Sequence, residues 1–155
     1  MSERRSLDDF DRRIIRELQH DAALPLAEVA RRVGLSASPC WKRVQRLESE
    51  GVIRRRVALL DPESVGYGLT VFVSVRAGAH TSEWLERFAT TVEAMPEVVE
   101  VYRMAGDVDY LLKVVAPDIR TYDAFYKRLI EIAPLAEVTS RFAMEVMKHT
   151  TELPL

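Results

Sequence analysis

Apolar residues keep a helical spacing up to about residue 50 and, beyond a short extended stretch, divide between alternating, strand-like runs and further helical ones. A chain that switches period in this way cannot close around one uniform layer, so it reads as an α+β protein whose first part is three helices and a linker strand. Phe10, Ile14, Ile15 and Leu18 mark one face of a first helix that ends near residue 21. Ser6, with Asp9 three residues on, is its expected cap. Residues 25–33 form a short second helix with Pro25 near its first turn and Gly34 reversing the chain. A third helix runs to Glu50 and stops at Gly51; Ser36 and Ser38 both suit its start, and Pro39 at the first helical position favours Ser38. Its Cys40, Val44 and Leu47 face inward, which leaves Ser38, Lys42, Gln45 and Arg46 on the outer side. Val52 and Ile53 read as a packing pair, followed by Arg54, Arg55 and Arg56 in an extended stretch.

Two helices joined by a tight glycine turn, the second with a polar outer face, follow the helix-turn-helix plan, in which the second helix enters the DNA major groove. Charge agrees: residues 1–60 carry 13 Lys and Arg against 9 Asp and Glu, whereas residues 61–155 carry 9 against 15. A basic module joined to an acidic one suits a polyanion partner for the first. The expected contacts to double-stranded DNA are Ser36, Ser38, Lys42, Arg43, Gln45, Arg46, Arg54, Arg55 and Arg56. The cations neutralise phosphates, the serines bond a phosphate near the helix start, and the Gln45 amide suits an adenine edge. A solvated basic face is the plainer alternative. Trp41 either packs on the domain surface, which is the expected role, or touches sugar and phosphate.

Residues 61–68 hold the turn formers of a linker, so the domains are read as 1–61 and 62–155. Beyond the linker come a strand at 69–76, a helix at 82–94, strands at 98–104 and 110–115, a helix from Asp118 to about 132, and a strand at 138–148. This βαββαβ order is ferredoxin-like. Both helices of such a fold lie on one side, and Val71, Val73 and Val75 belong beneath them. Phe72, Tyr102, Met104, Leu112 and Val114 are then left on a sheet face too apolar for water, so a second copy is expected to cover it as a homodimer. In the last strand Phe142, Met144 and Val146 oppose Thr139, Arg141 and Ala143.

The turn at 106–109 has two readings. Gly106 can aim backbone N–H groups at a carboxylate while Asp107 and Asp109 accept from an ammonium group, the two ends of an amino acid. Ordinary hairpin chemistry explains the same residues. Arg141 binds a ligand carboxylate or pairs with an acid across the dimer.

No apolar run reaches the length of a membrane span, and the basic start of the chain lacks the apolar stretch of a secretory signal, so a cytoplasmic protein without membrane partners is expected. A single cysteine, Cys40, and three scattered histidines offer no disulfide and no zinc spacing. No catalytic constellation is apparent, and neither enzyme activity nor a cofactor is expected.

Residues 7–15 (LDDFDRRII), 33–36 (VGLS), 43–48 (RVQRLE), 51–53 (GVI) and 104–114 (MAGDVDYLLKV) together resemble the Lrp/AsnC family, the leucine-responsive and asparagine regulators also called feast/famine regulators. The resemblance spans nearly the whole chain. It implies a winged helix-turn-helix, a ferredoxin-like amino-acid-binding regulatory domain, and homodimers that assemble into tetramers, octamers or hexadecamers. It also implies a sequence-specific transcriptional regulator whose assembly and DNA binding respond to a small amino-acid effector held between subunits. Gly106, Asp107 and Asp109 match the family's pocket loop, with Tyr102, Met104 and Thr139 as lining, and Ala105 stands where the family often has threonine. Two other activities occur among similar proteins, namely DNA compaction with little sequence preference and tetrapyrrole decarboxylation. The second wants cationic or imidazole groups in the pocket, and His80 and His149 fall outside the strands that line it.

Overall fold

The computed structural model describes residues 6–132 and 134–155, which divide into two compact units. One holds the chain up to Leu59 together with Lys148–Leu155; the other is Leu60–Met147.

The first unit contains helices α1 (Asp9–His20), α2 (Leu26–Val33) and α3 (Ala37–Ser49). Helix α1 is capped by Asp8 and not by Ser6: the Asp8 carboxylate accepts from the Asp11 N–H at 2.9 Å, and the Asp11 carboxylate accepts from the Asp8 N–H at 3.2 Å. This reciprocal box satisfies two free amides at once, which a lone Ser6 hydroxyl does not. Gly34 ends α2 in the left-handed region at φ 77°, where its missing side chain removes the strain. The cap of α3 is Ser36, with Ser38 and Pro39 inside the first turn. Amides of the first turn have no intrahelical acceptor, so a proline there gives up no helical hydrogen bond. Ile14, Ile15, Leu18, Val29, Ala30, Val33, Cys40, Val44 and Leu47 form the core, with Leu155 of the tail packed against it. Residues 54–60 adopt neither helix nor strand. Among the described residues no neighbouring strand takes up the backbone groups of the expected extended arginine stretch, so it is not a paired ribbon there.

The second unit contains β1 (Leu69–Ala77), α4 (Ser82–Glu93), β2 (Val98–Arg103), β3 (Tyr110–Ala116), α5 (Ile119–Glu131) and β4 (Leu135–Phe142). The strands form one antiparallel sheet in the order β2-β3-β1-β4. Thr81 and Asp118 cap the helices through the Trp84 and Thr121 amides, at 3.2 and 2.7 Å. Val71, Val73 and Val75 lie opposite Val114, Leu112 and Tyr110, and all six are buried with Phe88, Phe125 and Leu129 of the two helices. Leu112 and Val114 thus belong to the core and not to the uncovered face. Directly opposed residues share a face of an antiparallel pair, so the valines carry their β3 partners under the helices.

The last strand also differs from its expected span, starting at Leu135 and ending at Phe142. Pairing with β1 continues to Phe142, which lies opposite Val71, and the Ala143 N–H bonds the Thr70 carbonyl at 2.9 Å. Met144 and Val146, without a neighbouring strand, are exposed.

Leu112→Ala is expected to cost about 2–5 kcal/mol in urea denaturation, the penalty for a truncated core leucine. A change within about 0.5 kcal/mol, typical of surface positions, would return Leu112 to the open face.

Candidate functional site

In the first unit, burial of Cys40, Val44 and Leu47 turns Ser38, Trp41, Lys42 and Gln45 to the exposed side of α3. Trp41 is 52% exposed on this side. Gln45 Nε2 donates to Glu48 Oε2 at 3.1 Å, a surface bond that water or a base edge can replace. Among the described residues Lys42, Arg54 and Arg55 form no ion pair, while Arg56 reaches Glu48 at 2.9 Å.

Arg43 and Arg46 are placed differently from the other expected contacts. Arg43 Nη1 donates to Asp8 Oδ2 at 2.6 Å and to Asp11 Oδ1 at 2.8 Å; Arg46 Nη2 donates to Asp11 Oδ2 at 2.5 Å. Asp11 is 1% exposed, and a carboxylate buried that far is tolerable only because both oxygens receive charge-assisted bonds. The Asp11 N–H, followed by Arg43, holds the Asp8 carboxyl below its usual range. These pairs fasten α3 to α1. Asp11 sits on the same helical stripe as Ile14, Ile15 and Leu18, a position that signals a buried partner for a cation elsewhere in the chain. Burial raises the Cys40 thiol above its usual value, which disfavours the nucleophilic thiolate.

In the second unit the open sheet face carries a cavity of about 230 Å³. Ser74 and Arg76 reach it from β1, Glu137, Thr139 and Arg141 from β4, and Asp107 and Val108 from the β2–β3 loop. The register explains the grouping, since Phe72, Ser74 and Arg76 stand opposite Arg141, Thr139 and Glu137. Arg76 and Glu137 pair at 3.4 Å, and Thr139 donates to Glu137 at 3.2 Å. Arg141 Nη1 donates to Ser74 Oγ at 2.7 Å and has no carboxylate partner among the described residues. Asp107 has no hydrogen bond or ion pair among them.

Of the expected pocket residues, Asp107 and Thr139 line this cavity. Tyr102 lies on β2 with its hydroxyl turned to Glu100, and the Met104 amide bonds the Asp109 carbonyl at 2.8 Å. Ala105 and Gly106 shape the loop, Gly106 at φ 130°. Asp109 acts as an anchor, its carboxylate accepting from the Ala77 N–H at 2.8 Å and its own amide donating to the Val75 carbonyl at 3.0 Å. Ser74, Arg76 and Glu137 escape a sequence reading, because only cross-strand register gathers them. Among the described residues no helix is long and apolar enough to cross a membrane, and no cluster of His, Cys, Asp and Glu is placed to hold a metal ion.

The family model of the AsnC-type helix-turn-helix domain matches residues 7–48, and that of the Lrp/AsnC ligand binding domain matches residues 70–153. The chain is 51% identical over 150 residues to the DNA-binding transcriptional activator DecR of Escherichia coli K12, covering 96% of this chain and 99% of that one. Its structure is similar to that of an AsnC family transcriptional regulator from Agrobacterium tumefaciens, with a TM-score of 0.92, 59% identity, and coverage of 96% and 97% of the two chains. It is equally similar, with a TM-score of 0.92 and the same coverage, to a transcriptional regulator from Neisseria meningitidis in complex with L-methionine, at 36% identity.

Asp11→Ala is expected to lower stability to chemical denaturation by about 3 kcal/mol, the low end for removing one partner of a buried pair because Arg46 keeps access to water. Lys42→Ala is expected to change it by no more than about 0.5 kcal/mol. Equal effects would contradict the assignment of Asp11 as the fastening between α1 and α3.

Proposed function

The chain belongs to the Lrp/AsnC family of transcriptional regulators, with an AsnC-type helix-turn-helix and an amino-acid-binding domain, and on that premise we propose that it reads specific DNA sites through α3 under the control of an amino acid held in the open-face cavity. The observation that carries this reading is the division of α3: its inner residues fill the core, Arg43 and Arg46 are drawn to Asp11, and Ser38, Lys42 and Gln45 are left outward. A helix of this diameter fits the major groove, where Gln45 meets an adenine edge and Lys42 a phosphate. Ser36 and Ser38 bond phosphate at the helix start, and Arg54, Arg55 and Arg56 add sequence-independent attraction. Arg43 and Arg46 serve mainly to orient α3.

The effector reading is supported by the charges of the cavity. Arg141 lacks a carboxylate and Asp107 lacks a cation among the described residues, and a free amino acid supplies one of each. Its α-carboxylate takes the Arg141 guanidinium and its ammonium takes Asp107. Thr139 lines the wall, while Tyr102, Met104, Ala105, Gly106 and Asp109 shape the strand and loop that present Asp107. Phe72, Tyr102 and Met104 remain exposed on the open face, which favours a second copy as its cover and assembly beyond the dimer. Amino-acid binding and assembly are then linked equilibria, and each assembly spaces its DNA-reading helices differently. Regulation of transcription places this activity in the cytoplasm, without catalysis.

On a site selected from random duplexes, Gln45→Ala is expected to relax preference at one base position by about 1–3 kcal/mol, whereas Arg55→Ala lowers affinity for all sequences and reduces the salt slope by about 1. Unchanged selectivity in Gln45→Ala would favour a DNA-compacting role. Arg141→Gln is expected to weaken amino-acid binding at least tenfold in calorimetry, roughly the worth of a hydrogen bond to a charged group.

A further inference from the structure

The last eight residues follow the cavity strand in sequence, yet they pack with the DNA-binding unit. Strand β4, which supplies Glu137, Thr139 and Arg141 to the cavity, ends at Phe142. Residues 143–147 form neither helix nor strand, and from Lys148 onward the chain belongs to the unit of α1, α2 and α3.

There α1 grips it through its exposed last turns. Gln19 bonds the Leu153 backbone twice, accepting from its N–H at 2.7 Å and donating to its carbonyl at 3.2 Å, which reproduces the pairing of a peptide group. Arg16 Nε donates to the Leu155 carbonyl at 2.7 Å, His20 Nδ1 lies 3.4 Å from Glu152, and Leu155 packs against the helical core. The DNA-binding unit is therefore joined to the cavity unit twice, at residues 59–60 and at residues 147–148.

We propose that this gripped tail is the tether through which amino-acid occupancy of the cavity sets the orientation of α3, with Arg16 and Gln19 as its positioning residues. The proposal rests on the effector reading above. A unit held at one point swivels freely, whereas a second attachment restricts the swivel and passes on a displacement. The ten residues between Phe142 and Leu153 span at most about 36 Å when fully extended, so the grip limits how far the DNA-binding unit can swing from β4. On the far side, the Asp11 ion pairs make α1 and α3 move as one body. An amino acid that draws Arg141 away from Ser74 acts on the strand that leads directly into the tail.

The test uses full-length protein and the double variant Arg16→Ala/Gln19→Ala, with the common L-amino acids tried one at a time by calorimetry. The strongest binder is then the probe in DNA titrations on the selected site. Hydrogen exchange at the Leu153 amide reports whether the tail is released, and thermal unfolding reports whether the variant is folded.

In the wild type the bound amino acid is expected to shift DNA affinity about fivefold or more. In the variant the shift falls below about twofold, with amino-acid affinity and basal DNA affinity kept within about threefold of wild type. A purely structural role for Arg16 and Gln19 would lower stability or basal affinity and leave the ratio intact. The tether is overturned if the full shift persists in a folded variant whose Leu153 amide exchanges freely. It is also overturned if an amino acid binds the wild type without changing its DNA affinity, or if Leu153 is unprotected in the wild type. Absence of binding by every amino acid defeats the effector reading itself and the tether with it. If the double variant does not fold, Gln19→Ala alone, which removes both Leu153 bonds, is put through the same measurements.

Discussion

The alternation of β1 is the constraint on which the second unit depends. Val71, Val73 and Val75 are fully buried beneath α4 and α5, and the residues between them, Phe72 and Ser74, with Arg76 beyond, point to the other side. Because β1 is a central strand with β3 on one flank and β4 on the other, this choice of face passes to both neighbours. It commits Leu112 and Val114 to the core and Thr139 and Arg141 to the cavity. A slip of one residue would exchange the two sets, sending valines into water and an arginine beneath the helices, so the hydrophobic core and the candidate ligand site are fixed together. Both follow from the preference of three valines for an apolar layer.

A comparable economy governs the first unit, through one buried carboxylate. Asp11 completes the capping box of α1 and receives both Arg43 and Arg46 from α3, tying the start of one helix to the middle of another. This sorts the cations of α3 into two groups, since those drawn to Asp11 orient the helix and Lys42 stays available to a polyanion. The tail extends the same logic to the last turns of α1. Thus α1 determines how α3 is held, and in the proposed tether it is also the element through which the cavity acts on α3.

Much of this was legible in the chain. The helical spacing of Phe10, Ile14, Ile15 and Leu18, the glycine at 34, and the inward set Cys40, Val44 and Leu47 mark the three helices, and the valine alternation marks β1. Resemblance to the Lrp/AsnC family pointed to the loop around Asp107 and to Thr139. What was not legible depends on partners distant in sequence. Alternation shows that Leu112 and Val114 share a face but not which one; only their opposition to Val73 and Val71 decides it. Arg46 looks outward on a helical wheel, yet its long side chain reaches back to Asp11. Asp109 resembles a ligand group in the sequence and serves as a backbone anchor in the fold, and Ser74, Arg76 and Glu137 become neighbours only through the β1–β4 register. The end of β4 depends on how far its pairing with β1 continues, which alternation alone does not show.

The central claim is that a sheet face defined by β1 holds a free amino acid by its two charges and thereby controls a DNA-reading helix. The most direct measurement is a crystal structure of the full-length protein grown with its tightest-binding amino acid. The α-carboxylate is expected about 2.7–2.9 Å from the Arg141 guanidinium and the ammonium at a similar distance from Asp107, the lengths of charge-assisted bonds. An amino acid seated elsewhere, with Arg141 still on Ser74 and Asp107 still in solvent, would contradict it.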